Sequence, residues 1–354
     1  MIKQSLFGKM PNGELVKQFC LTNNHDVSVE ILNLGGIIRR WLVPKDKHSP
    51  TDIVLGFDTV NDYLSDDSYL GALIGRYANR INQGRFSLAG SNYQTDTNLG
   101  DNCLHGGSQG FNSKVWQSTV LSNGDNPSIM LQLSSPHGEQ GFPGALSVKV
   151  IYTLTEQNRL RIEYFATAEQ ATLYNPTNHS YFNLSGHSSG SVKTHQVQIL
   201  ASHYTPTDKN AIPTGEIAKV DNTPFDLRSM TTISQPLGSS HQQIEYGNGL
   251  DHNFCLDTYV PGSKVAFYVG KIIAIDSDHD ISLNIYSNMP GMQIFTANHF
   301  VNKKGKGGAL YQAQQGVCFE TQFYPDAPNH AHFPSATLQA DEEFYSVTEY
   351  EVLF

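Results

Sequence analysis

Apolar residues alternate with polar ones along much of this chain. In Leu146-Ser147-Val148-Lys149-Val150-Ile151-Tyr152-Thr153-Leu154 they fall mainly on every second position, and after Glu156-Gln157-Asn158 the pattern resumes at Leu160, Ile162, Tyr164 and Ala166. Successive side chains of a strand point to opposite faces, so a period of two interrupted by turn-forming residues predicts a β-hairpin with one buried face. The same alternation marks Val27/Val29/Ile31, Ile129/Leu131/Leu133, Ile281/Leu283/Ile285 and Met292/Ile294/Thr296, each bounded by Gly, Pro, Asn, Asp or Ser. Helical patterning is confined to short pieces such as VNDYL after Thr59, where Asp62 supports the first turn.

The 30 Gly and 16 Pro are spread along the 354 residues with no Gly/Ser-rich or Pro-rich hinge, and no repeat is visible. Many short antiparallel strands, long polar loops and no strand-helix-strand alternation predict an all-β fold. The expectation is one domain over residues 1–354, a large antiparallel β-sandwich of two packed sheets with a face or loop cluster free to hold a ligand.

Composition narrows the partners. Lys plus Arg number 23 against 33 Asp plus Glu, a formal charge of −10, and charged residues are only 16% against 39% hydrophobic, which excludes a disordered chain or a coiled coil. Without a cluster of cations to displace counterions, nucleic acid is excluded as a partner. The opening MIKQSLFGKMPNGELV lacks the apolar run of a signal peptide, and no stretch is long and apolar enough for a membrane helix, so a cytoplasmic location away from the membrane is expected. Cys20, Cys103, Cys255 and Cys318 lie far apart without a CxxC pair, as expected of reduced, packed thiols. The Asn-x-Ser/Thr-type triplets starting at Asn178 and Asn183 then serve some purpose other than glycosylation.

Six polar segments, most of them containing His, interrupt the alternation: GRYANRI (75–81), NCLHGGSQGF (102–111), NPTNHSYFNL (175–184), NGLDHNF (248–254), PGMQIFT (290–296) and GVCFETQFYPDAPNHAHFPS (316–335). Together with the closing YSVTEYEVLF, in this order, they resemble the aldose 1-epimerase (galactose mutarotase) family over essentially the whole chain. NHSYFNL joined with FETQ and PDAPNH is the most specific combination. The resemblance implies a galactose mutarotase-like supersandwich, no metal, no organic cofactor and a small-molecule sugar substrate handled by a monomer or homodimer.

In Val317-Cys318-Phe319-Glu320-Thr321-Gln322-Phe323 the apolar Val317, Phe319 and Phe323 share one face, so Glu320 projects from the other with Cys318 and Gln322. By itself this fits a solvated carboxylate on a half-exposed strand. The resemblance implies instead that Glu320 is the general base at the sugar's C1 hydroxyl and His179 the general acid at the ring oxygen, and imidazole titrates in a range suited to that task. It places Asn79, Arg80, His105, Tyr181, Asp251 and Gln293 around the sugar. Arg76, read as four residues away on the same strand face, rivals Arg80. Asp251 also fits a turn, and His105 sits before Gly106 and Gly107, which fits backbone yielding space to a ligand. Pro176 denies its position a ladder hydrogen bond and is expected to shift the local strand start.

Three further patterns carry less. Asp276-Ser277-Asp278-His279-Asp280 imitates the start of a calcium loop, but Ile281 stands where Gly is required and Ser287 where a bidentate Glu is required. His330-Ala331-His332 offers a metal chelate without a third ligand at a recognised spacing. Lys304-Gly305-Lys306-Gly307-Gly308 lacks the order of a phosphate loop and reads as a mobile hairpin tip. The function expected is interconversion of the α and β anomers of a free aldohexose; the alternatives are a hexose 6-phosphate 1-epimerase and a non-catalytic carbohydrate-binding sandwich.

Overall fold

The alternating segments form the strands their period demands. In a computed structural model that describes residues 1–45, 48–275 and 280–354, Leu146–Leu154 pairs with Arg159–Ala168 in one antiparallel hairpin, with Leu154 opposite Leu160. This hairpin lies within a nine-stranded antiparallel sheet that also holds Ser128–Ser135, Ile281–Ser287, Phe267–Ala274 and the closing strand Phe344–Leu353. Among the described residues helices are short, the longest being Gln242–Gly247; Val60–Leu64 is helical with Asp62 in its first turn, as expected, and the Thr59 side chain accepts the Asp62 amide at 3.1 Å.

The second layer departs from the two-sheet expectation because it is divided. A five-stranded sheet from the first 52 residues and a six-stranded sheet both contribute to the apolar core shared with the large sheet. They meet where Leu55 donates to the Tyr181 carbonyl and Asn183 to that of Ile53, so the divided layer is stitched by backbone hydrogen bonds. The six-stranded sheet runs in the order Tyr181–Phe182, Val317–Gln322, Gly291–Phe295, Asp251–Cys255, His203–Thr205, Ala218–Lys219. Its Phe319 and Ile294 point into the core, and Tyr350 of the large sheet donates its hydroxyl to the Phe319 carbonyl at 2.8 Å. Its opposite face is covered by loops, so all six residues of Val317–Gln322 are buried. A strand enclosed on both faces must satisfy its polar side chains internally, which requires partners for each of them or a ligand.

Asn178 and Asn183 are buried turn-builders: Asn178 donates to the Gly71 carbonyl and accepts from Ser180, and Asn183 donates to the carbonyls of Gly190 and Gln315. The four cysteines are unpaired, three of them buried. Thr177–Asn178 begins directly after Pro176, consistent with a proline that cannot join the ladder. The Lys304–Gly308 segment is not a free tip. Lys306 is buried, and its ammonium reaches Asp52 at 2.7 Å and the carbonyls of Arg39 and Val54 at 2.9 and 2.7 Å, pinning the hairpin to the five-stranded sheet. The expectation of a mobile tip fails because a buried cation between glycines leaves no mark on the sequence pattern.

Candidate active site

The loop-covered face of the six-stranded sheet is the floor of a cavity of about 280 Å³. Register decides which side chains form that floor. Tyr181 lies opposite Cys318, Cys318 opposite Phe295, and Phe295 opposite Asp251; in the next row Glu320 lies opposite Gln293, and Gln293 opposite Asn253. Paired residues of an antiparallel ladder share a face, so these seven side chains stand on one side of the sheet.

His179 enters from the short strand preceding Tyr181. Thr177–Asn178 pairs with Leu73–Ile74, the His179 amide donates to the Ala72 carbonyl, and its own carbonyl accepts the Gly71 amide, so backbone on both sides fixes the residue. Gly71 has φ +75, and a Cβ there would lie 2.3 Å from the Ile38 carbonyl oxygen, so only glycine permits this approach. The imidazole lies near-parallel to two aromatic rings, Tyr181 at 5.0 Å and Tyr69 at 6.0 Å, with interplanar angles of 29° and 28°.

The third wall comes from two short strands. Arg80–Ile81 pairs with Cys103–Leu104; His105 donates its amide to the Asn79 carbonyl, and the Asn79 amide donates back to His105 Nδ1 at 3.2 Å. Asn79 (φ 62) accepts the Arg80 amide and guanidinium on Oδ1, and Arg80 reaches Asp251 at 3.4 Å. Asp251 in turn accepts Gln293 Nε2 at 2.6 Å. Asp251 opens the strand Asp251–Cys255 rather than decorating a turn. Gly106 does not clear room for a ligand: a Cβ at its φ of +87 would lie 2.2 Å from the Gly75 carbonyl oxygen, so the glycine serves a backbone crossing.

His179 Nε2 and Glu320 Oε1 face each other at 3.5 Å, and both residues are almost wholly buried. Burial raises the Glu320 carboxyl well above the ordinary range, Asp251 adding to the rise and Arg80 opposing it. Burial lowers His179 to about 4. Both directions disfavour the ionised form of each group, so a carboxylate and an imidazolium placed here are poised to pass a proton rather than to rest as a stable ion pair.

His105, His179 and Glu320 have ligand atoms within 4.8 Å of one another, a spacing that suits a metal. The tautomer does not suit one. A metal-bound His donates its other ring N–H outward, whereas His105 Nδ1 accepts the Asn79 amide, so Nε2 carries the hydrogen and presents a donor to the cavity. At the second suspected chelate, His332 Nε2 meets the Gly215 carbonyl at 2.7 Å and is already engaged, while His330 Nε2 lies 3.3 Å from Asp326. Positions 276–279 of the calcium-like segment lie outside the described residues.

Of the residues expected at the site, Asn79, Arg80, His105, His179, Tyr181, Asp251 and Glu320 line the cavity. Gln293 donates to Asp251, and Tyr181 spends its hydroxyl on the Ser68 carbonyl at 2.8 Å while lining the cavity. Arg76 is elsewhere. The segment turns at Asn79 instead of continuing as a strand, and the Arg76 guanidinium binds Ser135, Pro136, Pro143 and Gly144. Tyr69, Phe295, Phe300 and Lys303 also line the cavity and were not expected; three are aromatic residues resembling core positions, and Tyr69 is marked only by a φ of +57 that no sequence pattern discloses.

A buried carboxyl–imidazole contact on a β-sandwich floor, beside the Arg80–Asp251 pair and the hydrogen-bonding side chains of Asn79 and His105, suits proton transfer on a hydroxylated ligand. The family described as Aldose 1-epimerase matches residues 17–351. Galactose mutarotase of Homo sapiens is 40% identical over 349 residues, covering 98% of this chain and 97% of that protein, and aldose 1-epimerase of Escherichia coli (strain K12) is 35% identical over 345 residues, 97% of each. Among solved structures, galactose 1-epimerase from Lactobacillus acidophilus NCFM superposes with a TM-score of 0.86 at 26% identity, covering 100% of this chain and 98% of that one. The chain belongs to the aldose 1-epimerase family.

Proposed function

We propose that the protein interconverts the α and β anomers of free aldohexoses such as galactose and glucose, with Glu320 and His179 as the base and acid. The supporting observation is their buried contact at 3.5 Å on the floor of a cavity lined by Asn79, Arg80, His105 and Asp251. In the closed-ring complex the Glu320 carboxylate takes the proton of the C1 hydroxyl while the His179 imidazolium gives its Nε2 proton to O5, and the C1–O5 bond breaks to leave the open-chain aldehyde. Rotation about C1–C2 presents the other carbonyl face, and the reversed transfers close the ring. The pair holds one proton before and after, so no external donor is needed. Each group contributes about 10²–10⁴ in rate when held in place.

The remaining polar groups orient the sugar: His105 Nε2–H and Arg80 donate, Asp251 and Asn79 accept, and Tyr181 and Phe295 supply ring faces. Gln293 acts through Asp251. A phosphorylated sugar is not favoured, because the cations lining the cavity are taken: Arg80 by Asp251, and Lys303 by Asp66 and Asp67. The residues 1–354 work as one unit around this site, and unpaired thiols fit a cytoplasmic setting. Polarimetry of freshly dissolved α-galactose and α-glucose tests the assignment. Glu320→Gln is expected to lower kcat by at least about 10²-fold, and an unaltered rate would overturn Glu320 as the base; glucose 6-phosphate turned over faster than glucose would overturn the substrate class.

A further inference from the structure

We propose that Cys318 is a positioning residue whose uncharged sulfur receives the Nδ1–H of His179, so that all proton traffic of the imidazole passes through Nε2. The inference rests on His179 as the acid and adds the group that sets its tautomer.

The two ring nitrogens of His179 meet two side chains of one strand. Nε2 faces Glu320 Oε1 at 3.5 Å, and Nδ1 faces Cys318 Sγ at 3.5 Å. Cys318 and Glu320 stand two positions apart on Val317–Gln322, one strand repeat of about 6.6–6.8 Å, so a rigid backbone brackets the imidazole at both ends. The Tyr181 and Tyr69 rings lie near-parallel to the imidazole, and the contacts of its two nitrogens fix its rotation in that plane.

The chemistry selects the direction of the Nδ1 hydrogen bond. A group that gives its Nε2 proton to O5 and takes it back must carry hydrogen at Nδ1 throughout, since the imidazolium that loses Nε2–H is left as the Nδ1–H tautomer. The neighbour of Nδ1 must therefore accept. Cys318 is fully buried, and burial together with the Glu320 and Asp251 carboxylates holds its thiol well above the usual range, so it stays S–H and offers a weak neutral lone pair. A carboxylate at this place would also orient the ring but would stabilise the imidazolium and hold back the proton that O5 needs. Sulfur orients without adding charge.

Two measurements test this. In the wild-type protein, ¹⁵N-detected NMR of the His179 ring at pH 7, assigned by difference with His179→Gln, is expected to show the Nδ1–H tautomer; a dominant Nε2–H tautomer overturns the proposal whatever the activity. Cys318→Ala is expected to lower kcat about tenfold with KM within about twofold, while Cys318→Ser, which keeps an acceptor, recovers most of that loss. Equal kcat for Cys318→Ala and wild type, or Cys318→Ser no better than Cys318→Ala, overturns it. Full activity of His179→Gln would instead remove His179 as the acid, a failure of the underlying reading that these results distinguish.

Discussion

Arg76 and Arg80 lie four residues apart, and the geometry predicts opposite consequences of losing each. The Arg76 guanidinium donates to Ser135 Oγ at 2.8 Å, Ser135 O at 2.7 Å, Pro136 O at 2.8 Å, Pro143 O at 2.8 Å and Gly144 O at 2.7 Å. In Arg76→Ala the Pro136 carbonyl keeps the Glu139 amide and the Pro143 carbonyl keeps the Thr172 hydroxyl, but among the described residues no other donor reaches Gly144 O. A stranded buried acceptor costs about 1–3 kcal/mol, and truncating one member of a buried charged network costs about 3–5 kcal/mol in total. The expected loss of stability is therefore about 3–5 kcal/mol, read from urea midpoints at constant m, with KM for galactose within about twofold of wild type. Arg80→Ala should do the reverse: a fall of about 10–100-fold in kcat/KM, mainly through KM, with a smaller loss of stability than Arg76→Ala, because its two side-chain contacts are long, at 3.2 and 3.4 Å, and Asp251 keeps the Gln293 amide at 2.6 Å. An Arg76→Ala protein with an unshifted midpoint and a raised KM would refute the assignment and return Arg76 to the sugar.

Buried neutral histidines make the fold sensitive to acid. His179, His195 and His252 are each lowered to about 4 by burial, so between the ordinary value near 6.5 and about 4 the unfolded chain binds more protons and stability falls as pH falls, by about 1.4 kcal/mol per pH unit for each; urea midpoints that do not drop from pH 7 to pH 5 would contradict this. The same shift predicts a kcat/KM profile whose acid limb lies near pH 4, far below free histidine, and a limb near 6.5 would contradict it. Lys306→Met keeps the stem but leaves the Arg39 and Val54 carbonyls without the ammonium, and is expected to cost about 2–4 kcal/mol; a neutral result in chemical denaturation would show the hairpin to be free. Gly106→Ala forces a Cβ to within 2.2 Å of the Gly75 carbonyl oxygen at φ +87 and should lower the unfolding midpoint sharply, whereas Gly124→Ala, outside the left-handed region and with nothing within 4 Å, should not.

Strands with one face on the core were legible because their period writes the buried face into the sequence: Leu146–Leu154 alternates as it reads. Val317–Gln322 is buried throughout, and its Cys, Glu, Thr and Gln resembled a half-exposed strand because no local pattern tells a loop roof from solvent. The division of the second layer was hidden for a related reason. Strands of two or three residues, such as Tyr181–Phe182 and His203–Thr205, are too short to show a period. Site residues inside compact motifs could be named, and seven of the eight reach the cavity, but spacing alone did not separate Arg76 from Arg80, because the turn at Asn79 depends on a positive φ. Tyr69 and Lys303 come from loops whose path is set by distant contacts, Lys303 by Asp66 across the cavity rim.

The enclosure that hid these residues from sequence reading also bears on the chemistry proposed for them. Ring opening converts a Glu320 carboxylate and His179 imidazolium into a carboxylic acid and an imidazole. The buried floor raises the first group and lowers the second, so it favours the pair in the form that accompanies the open-chain sugar. A solvated pair would prefer the charged form and gain nothing from delivering its proton. By removing water from both groups, the fold lowers the cost of the proposed proton transfer relative to that in solution. The same burial makes an unpartnered His179 rotamer costly, because the ring nitrogens would face hydrocarbon, and the neighbouring Cys318 and Glu320 on one strand are what keep both nitrogens matched.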